Sequence, residues 1–164
     1  MGEFISILPG HRARMVWMLP WIVAGAASCG QATALSGSLR VVDDAGDTVG
    51  VAAPARRIAS LIPATTELLF AIGAGDAVVG RTAWCDYPAA ATAVPNLGDG
   101  IGPSLEAILS VRPDLVLLYN SSRNGETATR LRQAGIPSLL LNTDALADVG
   151  RIARLLGRVS GRQR

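Results

Sequence analysis

Hydrophobic and polar positions between residues 57 and 80 follow a pattern that predicts one βαβ unit. Pro63 comes after a short apolar run and suits the first turn of a helix, because the amide proton that it lacks is not needed there. Gly73 and Gly75 follow the helical pattern and are expected to end it in the left-handed conformation. The unit comprises a strand at 58–61, a helix at 63–72 and a strand at 77–79. Such a unit predicts a parallel sheet with ligand chemistry at the carboxyl ends of its strands.

The rest of the chain continues the alternation of strand and helix. The polar segment 44–47 contains a glycine and separates two apolar runs, so a β-hairpin is expected before the first βαβ unit. Ser104 is expected to cap a helix, and Pro137 favours an edge strand or the start of a strand. The further predicted elements are strands at 39–43, 48–52, 115–118 and 136–141, a helical turn at 89–92, and helices at 105–109, 127–134 and 144–156. The predicted fold class is therefore α/β, a three-layer lobe with a parallel sheet and a leading β-hairpin.

The amino-terminal residues have the architecture of a secretory signal. Two arginines precede an apolar run at 15–27, which is shorter than the roughly 20 residues of a membrane-spanning helix. Small residues then precede Cys29, and this ending resembles a bacterial lipoprotein signal, although Ala26 stands where leucine is usual. We expect residues 1–28 to be the signal, Cys29 to be the lipidated first mature residue, and 29–37 to be a tether. A plain signal cleaved nearby and an uncleaved anchor remain the alternatives.

Charge and residue content exclude several function classes. The formal net charge is only +2 and the arginines are scattered, so nucleic-acid binding is not expected. The single histidine, His11, lies in the predicted signal, which argues against histidine-based catalytic triads and metal sites in the mature chain. The glycines at 73–75 follow a helix, whereas a dinucleotide-binding fingerprint follows a strand. Cys85 has no partner if Cys29 is lipidated, so we expect a partly buried thiol. No resident metal or cofactor is expected.

Aromatic side chains near predicted strand ends are the candidate ligand contacts. Trp84 and Tyr119 follow apolar strands, and amphipathic rings at a cleft rim can stack on a large flat ligand. For both, ordinary packing is the alternative. Tyr87 is a weaker candidate because it stands beside a proline and suits local packing. Arg81 is placed to bind a ligand carboxylate or phosphate, or to pair with Asp86.

Several ordered motifs resemble one family of binding proteins. They lie at residues 57–68, 73–80, 85–88, 103–108 and 112–116. Together they resemble the amino-terminal lobe of the cobalamin- and iron-siderophore-binding proteins of ABC importers, and most of all the vitamin B12-binding branch. The resemblance covers about residues 39–161.

The resemblance implies two α/β lobes joined by a long helix, with the ligand held between them. It places Trp84 and Tyr119 at positions of cobalamin contact, and it places Glu106 where an acidic residue docks on arginines of the membrane permease. The B12-binding branch has another large aromatic near 99–102, and this chain has none there, which leaves the ligand open.

The resemblance also sets the expected domain limits. Residues 38–161 are expected to form the lobe, and 162–164 a truncated start of the connecting helix. We expect a fragment of a longer product, or a degenerate or split protein. The expected function is capture, without catalysis, of a corrinoid or ferric chelate for an ABC importer, outside the cytoplasmic membrane or in the periplasm and held by a lipid anchor. The alternative is a single-lobe interaction module that docks on a permease or surface partner. An enzyme is disfavoured because no nucleophile–base pair is evident.

Overall fold

The computed structural model describes residues 37–163, in which strands and helices alternate as the hydrophobic pattern predicts. The strands are β1 (Gly37–Val42), β2 (Thr48–Ala53), β3 (Ile58–Ser60), β4 (Val78–Arg81), β5 (Leu115–Tyr119) and β6 (Ser138–Leu141). The helices are α1 (Pro63–Ala71), α2 (Leu105–Ser110), α3 (Ser122–Gln133) and α4 (Leu146–Ser160), with short 3-10 turns at Gly75–Ala77 and Ala89–Ala93. Within this part of the chain, no helix has both the length and the apolar character to cross a bilayer.

The central sheet contains four parallel strands in the order β4-β3-β5-β6. Strands β1 and β2 form a separate antiparallel hairpin. Because parallel strands all point the same way, the loops after β3, β4, β5 and β6 gather at one edge of the sheet. The α/β class, the parallel sheet and the leading hairpin are confirmed.

The side chains of β5 show why the lobe has three layers. Leu115 and Leu117 are fully buried on one face of the sheet, in a core shared with α1, α4 and the hairpin. Val116 and Leu118 are fully buried on the other face, in a core shared with α2 and α3. A strand covered on both faces needs an unbroken apolar run, and the sequence of β5 supplies it.

The turn of the hairpin covers the outer edge of β6. The Asp44 amide donates to the Leu140 carbonyl oxygen at 2.9 Å, and the Leu140 amide donates to Asp43 Oδ2 at 3.2 Å. Arg151 of α4 then donates to both carboxylate oxygens of Asp44, each at 2.9 Å. These bonds satisfy groups that an open sheet edge would expose, so the hairpin closes one side of the lobe.

The bounds of α3 and α4 differ most from the predictions. Helix α4 extends from Leu146 to Ser160, whereas the pattern predicts a helix at 144–156. Helix α3 begins at Ser122 instead of 127, because the Ser121 hydroxyl accepts a hydrogen bond from the Asn124 amide at 3.3 Å and caps the helix five residues earlier than its apolar pattern indicates. Gly73 has the predicted left-handed conformation, with φ of +75°. Gly75 does not, and it starts a 3-10 turn instead.

The residues after α4 are those in which the connecting helix is expected to begin. Helix α4 ends at Ser160, and Gly161 follows in the left-handed conformation. Arg162 and Gln163 are not helical. A connecting helix from 162 onward therefore stays a prediction.

Candidate functional site

A cleft of about 340 Å³ opens at the carboxyl edge of the parallel sheet. The last residue of β5 and the segments that follow the other three strands contribute to it, as the topology requires. Its lining residues are Leu61, Ile62, Pro63, Thr82, Trp84, Asp99, Gly100, Ile101, Tyr119 and Thr143. The cleft brings Trp84 and Tyr119 together, although they come from different strand ends.

The two aromatic residues present different surfaces to the cleft. The Trp84 side chain is 69% exposed, so most of its indole ring is free to contact a ligand. Tyr119 is half-buried, and its phenol donates to the two carboxylate oxygens of Asp144 at 3.0 and 3.1 Å. This hydrogen bond, together with the negative charge of Asp144, raises the pKa of Tyr119 above its ordinary value. The phenol therefore keeps its proton and its orientation at the cleft rim.

Buried polar side chains form a layer under this rim. The Thr66 hydroxyl lies 2.9 Å from Ser60 Oγ and 3.2 Å from the Cys85 sulfur, and the Thr82 hydroxyl lies 3.2 Å from the same sulfur. Cys85 is fully buried, which corrects the expectation of a partly buried thiol. The layer joins the ends of β3 and β4 and thereby holds the loop that carries Trp84.

Asn124 is a site residue that sequence reasoning missed. Its side chain is fully buried at the start of α3. Its amide nitrogen donates to the carbonyl oxygens of Gly100 at 3.0 Å and Tyr119 at 2.9 Å, and its amide oxygen accepts from the Gly102 amide at 2.9 Å. One side chain thus connects the end of β5 to the loop that forms the facing wall of the cleft.

Arg81 lies outside the cleft, which argues against its assignment as a ligand contact. Its guanidinium donates to three backbone carbonyl oxygens: Thr82 at 2.9 Å, Thr92 at 3.1 Å and Val94 at 3.1 Å. It forms no salt bridge with Asp86. The side chain anchors the loop after β4 with three of its five N–H donors.

The other predicted site residues lie apart from the cleft. Tyr87 is 67% exposed but is not among the lining residues. Glu106 is exposed in the first turn of α2 and is also outside the cleft. Cys29 falls outside the described residues. Within residues 37–163, no group of three or more metal-ligating side chains is assembled.

This fold and cleft match a known protein family. The profile of a family described as "Periplasmic binding protein" matches residues 58–164. The chain belongs to the periplasmic binding protein family. The match includes the whole parallel sheet and the loops that form the cleft.

Individual periplasmic binding proteins support this membership. The chain is 32% identical over 127 residues to an uncharacterized ABC transporter substrate-binding lipoprotein, YvrC of Bacillus subtilis (strain 168), which corresponds to 75% of this chain and 40% of YvrC. The chain is therefore a relative of ABC substrate-binding proteins, but it spans about two fifths of this curated relative's length.

Two solved structures of the same family share the fold. The periplasmic vitamin B12 binding protein BtuF of Vibrio cholerae aligns with a TM-score of 0.58 and 29% identity, over 67% of this chain and 42% of BtuF. The periplasmic heme-binding protein RhuT from Roseiflexus sp. RS-1 aligns with a TM-score of 0.57 and 32% identity, over 65% of this chain and 43% of RhuT. The shared part thus amounts to about two fifths of each of these two binding proteins.

Proposed function

We propose that the chain forms the amino-terminal lobe of the substrate-binding component of an ABC importer. Its ligand is a corrinoid or a ferric chelate of similar size and shape. The observation that carries this proposal is the convergence of Trp84 and Tyr119 on one cleft at the carboxyl edge of the sheet. The family membership supports a binding role without catalysis, and the named ligands of BtuF and RhuT are both large flat metal chelates.

The chemistry of the cleft favours a flat and largely apolar ligand face. Leu61, Ile62 and Pro63 supply an apolar floor, and the exposed indole of Trp84 stands beside it. Covering an exposed aromatic ring is worth about 1.5–3 kcal/mol, which corresponds to roughly 10- to 100-fold in affinity. The volume of about 340 Å³ is at the lower end of ligand pockets, as one wall of a larger site would be.

Equilibrium dialysis of the full chain against cyanocobalamin and a ferric hydroxamate siderophore tests the proposal. We expect at least one of them to bind, and Trp84→Ala to weaken that binding about 10-fold or more. Tyr87→Ala is the matched control, because Tyr87 is as exposed as Trp84 but lies outside the cleft. A larger loss for Tyr87→Ala than for Trp84→Ala would contradict the site assignment.

Docking on the permease is proposed for Glu106. Its carboxylate is exposed in the first turn of α2, where the helix dipole favours a negative charge, and it forms no salt bridge within residues 37–163. It is therefore available to arginines of a partner. We expect Glu106→Ala to weaken association with the permease in lipid nanodiscs, while Glu126→Ala, an exposed glutamate on α3, leaves it unchanged.

A single-lobe interaction module is the second candidate function, and the same availability of Glu106 favours it. The two candidates differ in their dependence on ligand. Association that requires Glu106 in a chain that binds neither chelate would favour the module. Ligand capture combined with Glu106-dependent association would favour the importer component.

The proposed location is the outer face of the cytoplasmic membrane or the periplasm, with a lipid anchor on Cys29. The name of the Bacillus relative includes the word lipoprotein, which supports this proposal. Intact mass measurement of the mature chain should show an amino terminus at Cys29 that carries acyl chains. An unmodified amino terminus at another residue would contradict it.

A further inference from the structure

The charged side chain that lines the cleft is acidic. Among the lining residues, Asp99 is the one that carries a formal charge, and the others are apolar, glycine or neutral polar residues. Asp144 adds a second carboxylate at the rim, because it accepts the hydrogen bond of the Tyr119 phenol. Both aspartates are exposed, and neither forms a salt bridge within residues 37–163. A ligand on this wall therefore meets two carboxylates.

The neighbouring arginines are not among the residues that line the cleft. Arg81 donates to three backbone carbonyl oxygens of the loop after β4. Arg151 is held between Asp44 and Asp148. Arg123 packs its side chain against Gly102, beside the cleft wall, but it is not among the lining residues.

This distribution of charge distinguishes two kinds of metal chelate that share a flat ring. A corrinoid such as cobalamin carries uncharged amide side chains around its ring, and amides donate N–H hydrogen bonds to carboxylates. Haem carries two ionised carboxylates at its periphery. A ligand carboxylate about 6 Å from an exposed aspartate is repelled strongly enough to weaken binding about fivefold at low salt.

The charge of the cleft bears on which ligands it selects, provided that the proposed function holds. We propose that this wall selects flat chelates with peripheral amides or other N–H donors over chelates with peripheral carboxylates, and that Asp99 and Asp144 are the specificity-determining residues. The selectivity is electrostatic. It therefore diminishes as salt concentration rises, whereas the contribution of Trp84 stacking does not.

A matched pair of ligands tests this directly. Cyanocobalamin and its monocarboxylic acid derivatives share one ring and differ by the conversion of a single amide to a carboxylate. In equilibrium dialysis of the full chain at pH 7 and low salt, we expect the acids to bind about fivefold more weakly or worse. Asp144→Asn and Asp99→Asn should each reduce the ratio of the dissociation constant of the acid to that of cyanocobalamin. The double variant should bring this ratio close to one. Asp86→Asn, which removes an exposed charge outside the cleft, should leave the ratio unchanged.

Asparagine suits this test because its side-chain oxygen can still accept the hydrogen bond of Tyr119. The substitution removes charge with little change of shape. Equal binding of amide and acid by the parent chain would overturn the selectivity inference and leave the proposed function standing. Tighter binding of the acid that is lost in Arg123→Gln would also overturn it, because Arg123 would then be the determinant. Binding of neither corrinoid would overturn the inference, and the proposed function would also be contradicted if the ferric siderophore did not bind.

Discussion

The side-chain amide of Asn124 donates a hydrogen bond to the Gly100 carbonyl oxygen at 3.0 Å. Through this contact, the first turn of α3 holds the loop that forms one wall of the cleft. The same amide nitrogen also reaches the Tyr119 carbonyl oxygen, and the amide oxygen accepts from Gly102. The shape of the cleft therefore depends on a residue that does not line it.

Replacement of Asn124 by alanine should loosen this wall. The change removes the partner of backbone groups of Gly100, Gly102 and Tyr119. The Gly100 carbonyl is buried, and a buried group without a partner costs about 1–3 kcal/mol. We expect a loss of at least that size in urea unfolding, together with faster hydrogen exchange of the Gly102 amide in the folded chain. Thr129→Ala on the exposed side of α3 is the control. Unchanged exchange at Gly102 would show that Asn124 does not hold the loop.

Tyr119 offers a titration that reads the cleft rim without any ligand. The chain contains two tyrosines, so Tyr87→Phe leaves Tyr119 as the single phenol. Its hydrogen bond to Asp144 and the charge of Asp144 raise its pKa, and Asp144→Asn should therefore lower that pKa. Absorbance at 295 nm against pH measures the change. A pKa that is the same with aspartate and asparagine at 144 would rule out this pairing in solution.

Glycine at position 100 is required by close contact with the backbone. A Cβ atom there would stand 2.6 Å from the Leu61 carbonyl oxygen, and a backbone atom cannot move aside cheaply. Gly100→Ala should destabilise the lobe by about 1–3 kcal/mol and displace the cleft wall from β3.

Gly125 in α3 provides the opposite expectation, because a Cβ atom there meets nothing within 4 Å. Gly125→Ala should stabilise the lobe by about 0.5–1 kcal/mol, since alanine loses less backbone entropy in a helix. Chemical denaturation of both variants measures the two changes. If they destabilised the lobe equally, the close contact at Gly100 would not be the cause.

Arg151 links stability to pH. Its hydrogen bond to Asp148, with that of the Ala145 amide, lowers the pKa of this carboxyl. A carboxyl with a lowered folded-state pKa stabilises the fold at pH values above its unfolded-state pKa, and this contribution is lost as pH falls through the folded-state pKa. Arg151→Met should therefore lower the unfolding midpoint at neutral pH, and its difference from the parent should shrink in acid.

Arg158→Met is the matched control, because Arg158 is exposed on the same helix and forms no salt bridge within residues 37–163. We expect it to change the midpoint little at any pH. If the unfolding midpoint of Arg151→Met stayed below that of the parent chain by the same amount from neutral pH into acid, the cause would be lost packing and not lost ion pairing.

The fold was largely predictable because its signals are local and periodic. The apolar run at 115–118 indicates a strand covered on both faces, and Pro63 and Gly73 mark the ends of α1. The start of α3 was not predictable in this way. Residues 122–126 are polar and show no apolar periodicity, so the cap at Ser121 was the signal that could have located it.

The candidate site was predictable only where it follows strands. Trp84 and Tyr119 come near strand ends, and the topology alone brings them to one edge. Asp99 and Asn124 reach the cleft through a loop and a helix start whose positions depend on tertiary contacts. Arg81 follows the same strand pattern but does not line the cleft. Its guanidinium binds carbonyl oxygens of the loop at 92–94, and the path of that loop cannot be predicted from the spacing of residues in the sequence.

The central claim is that the cleft at the carboxyl edge of the sheet captures the ligand. Hydrogen–deuterium exchange of the full chain tests it most directly because it maps binding along the chain, and it is run without ligand, with saturating cyanocobalamin and with a saturating ferric hydroxamate siderophore. We predict slower exchange at residues 82–86, 98–102 and 143–145, and no change on the outer face of α4. Ligand-dependent protection confined to α4, or the absence of any protection at the three cleft segments, would contradict the claim.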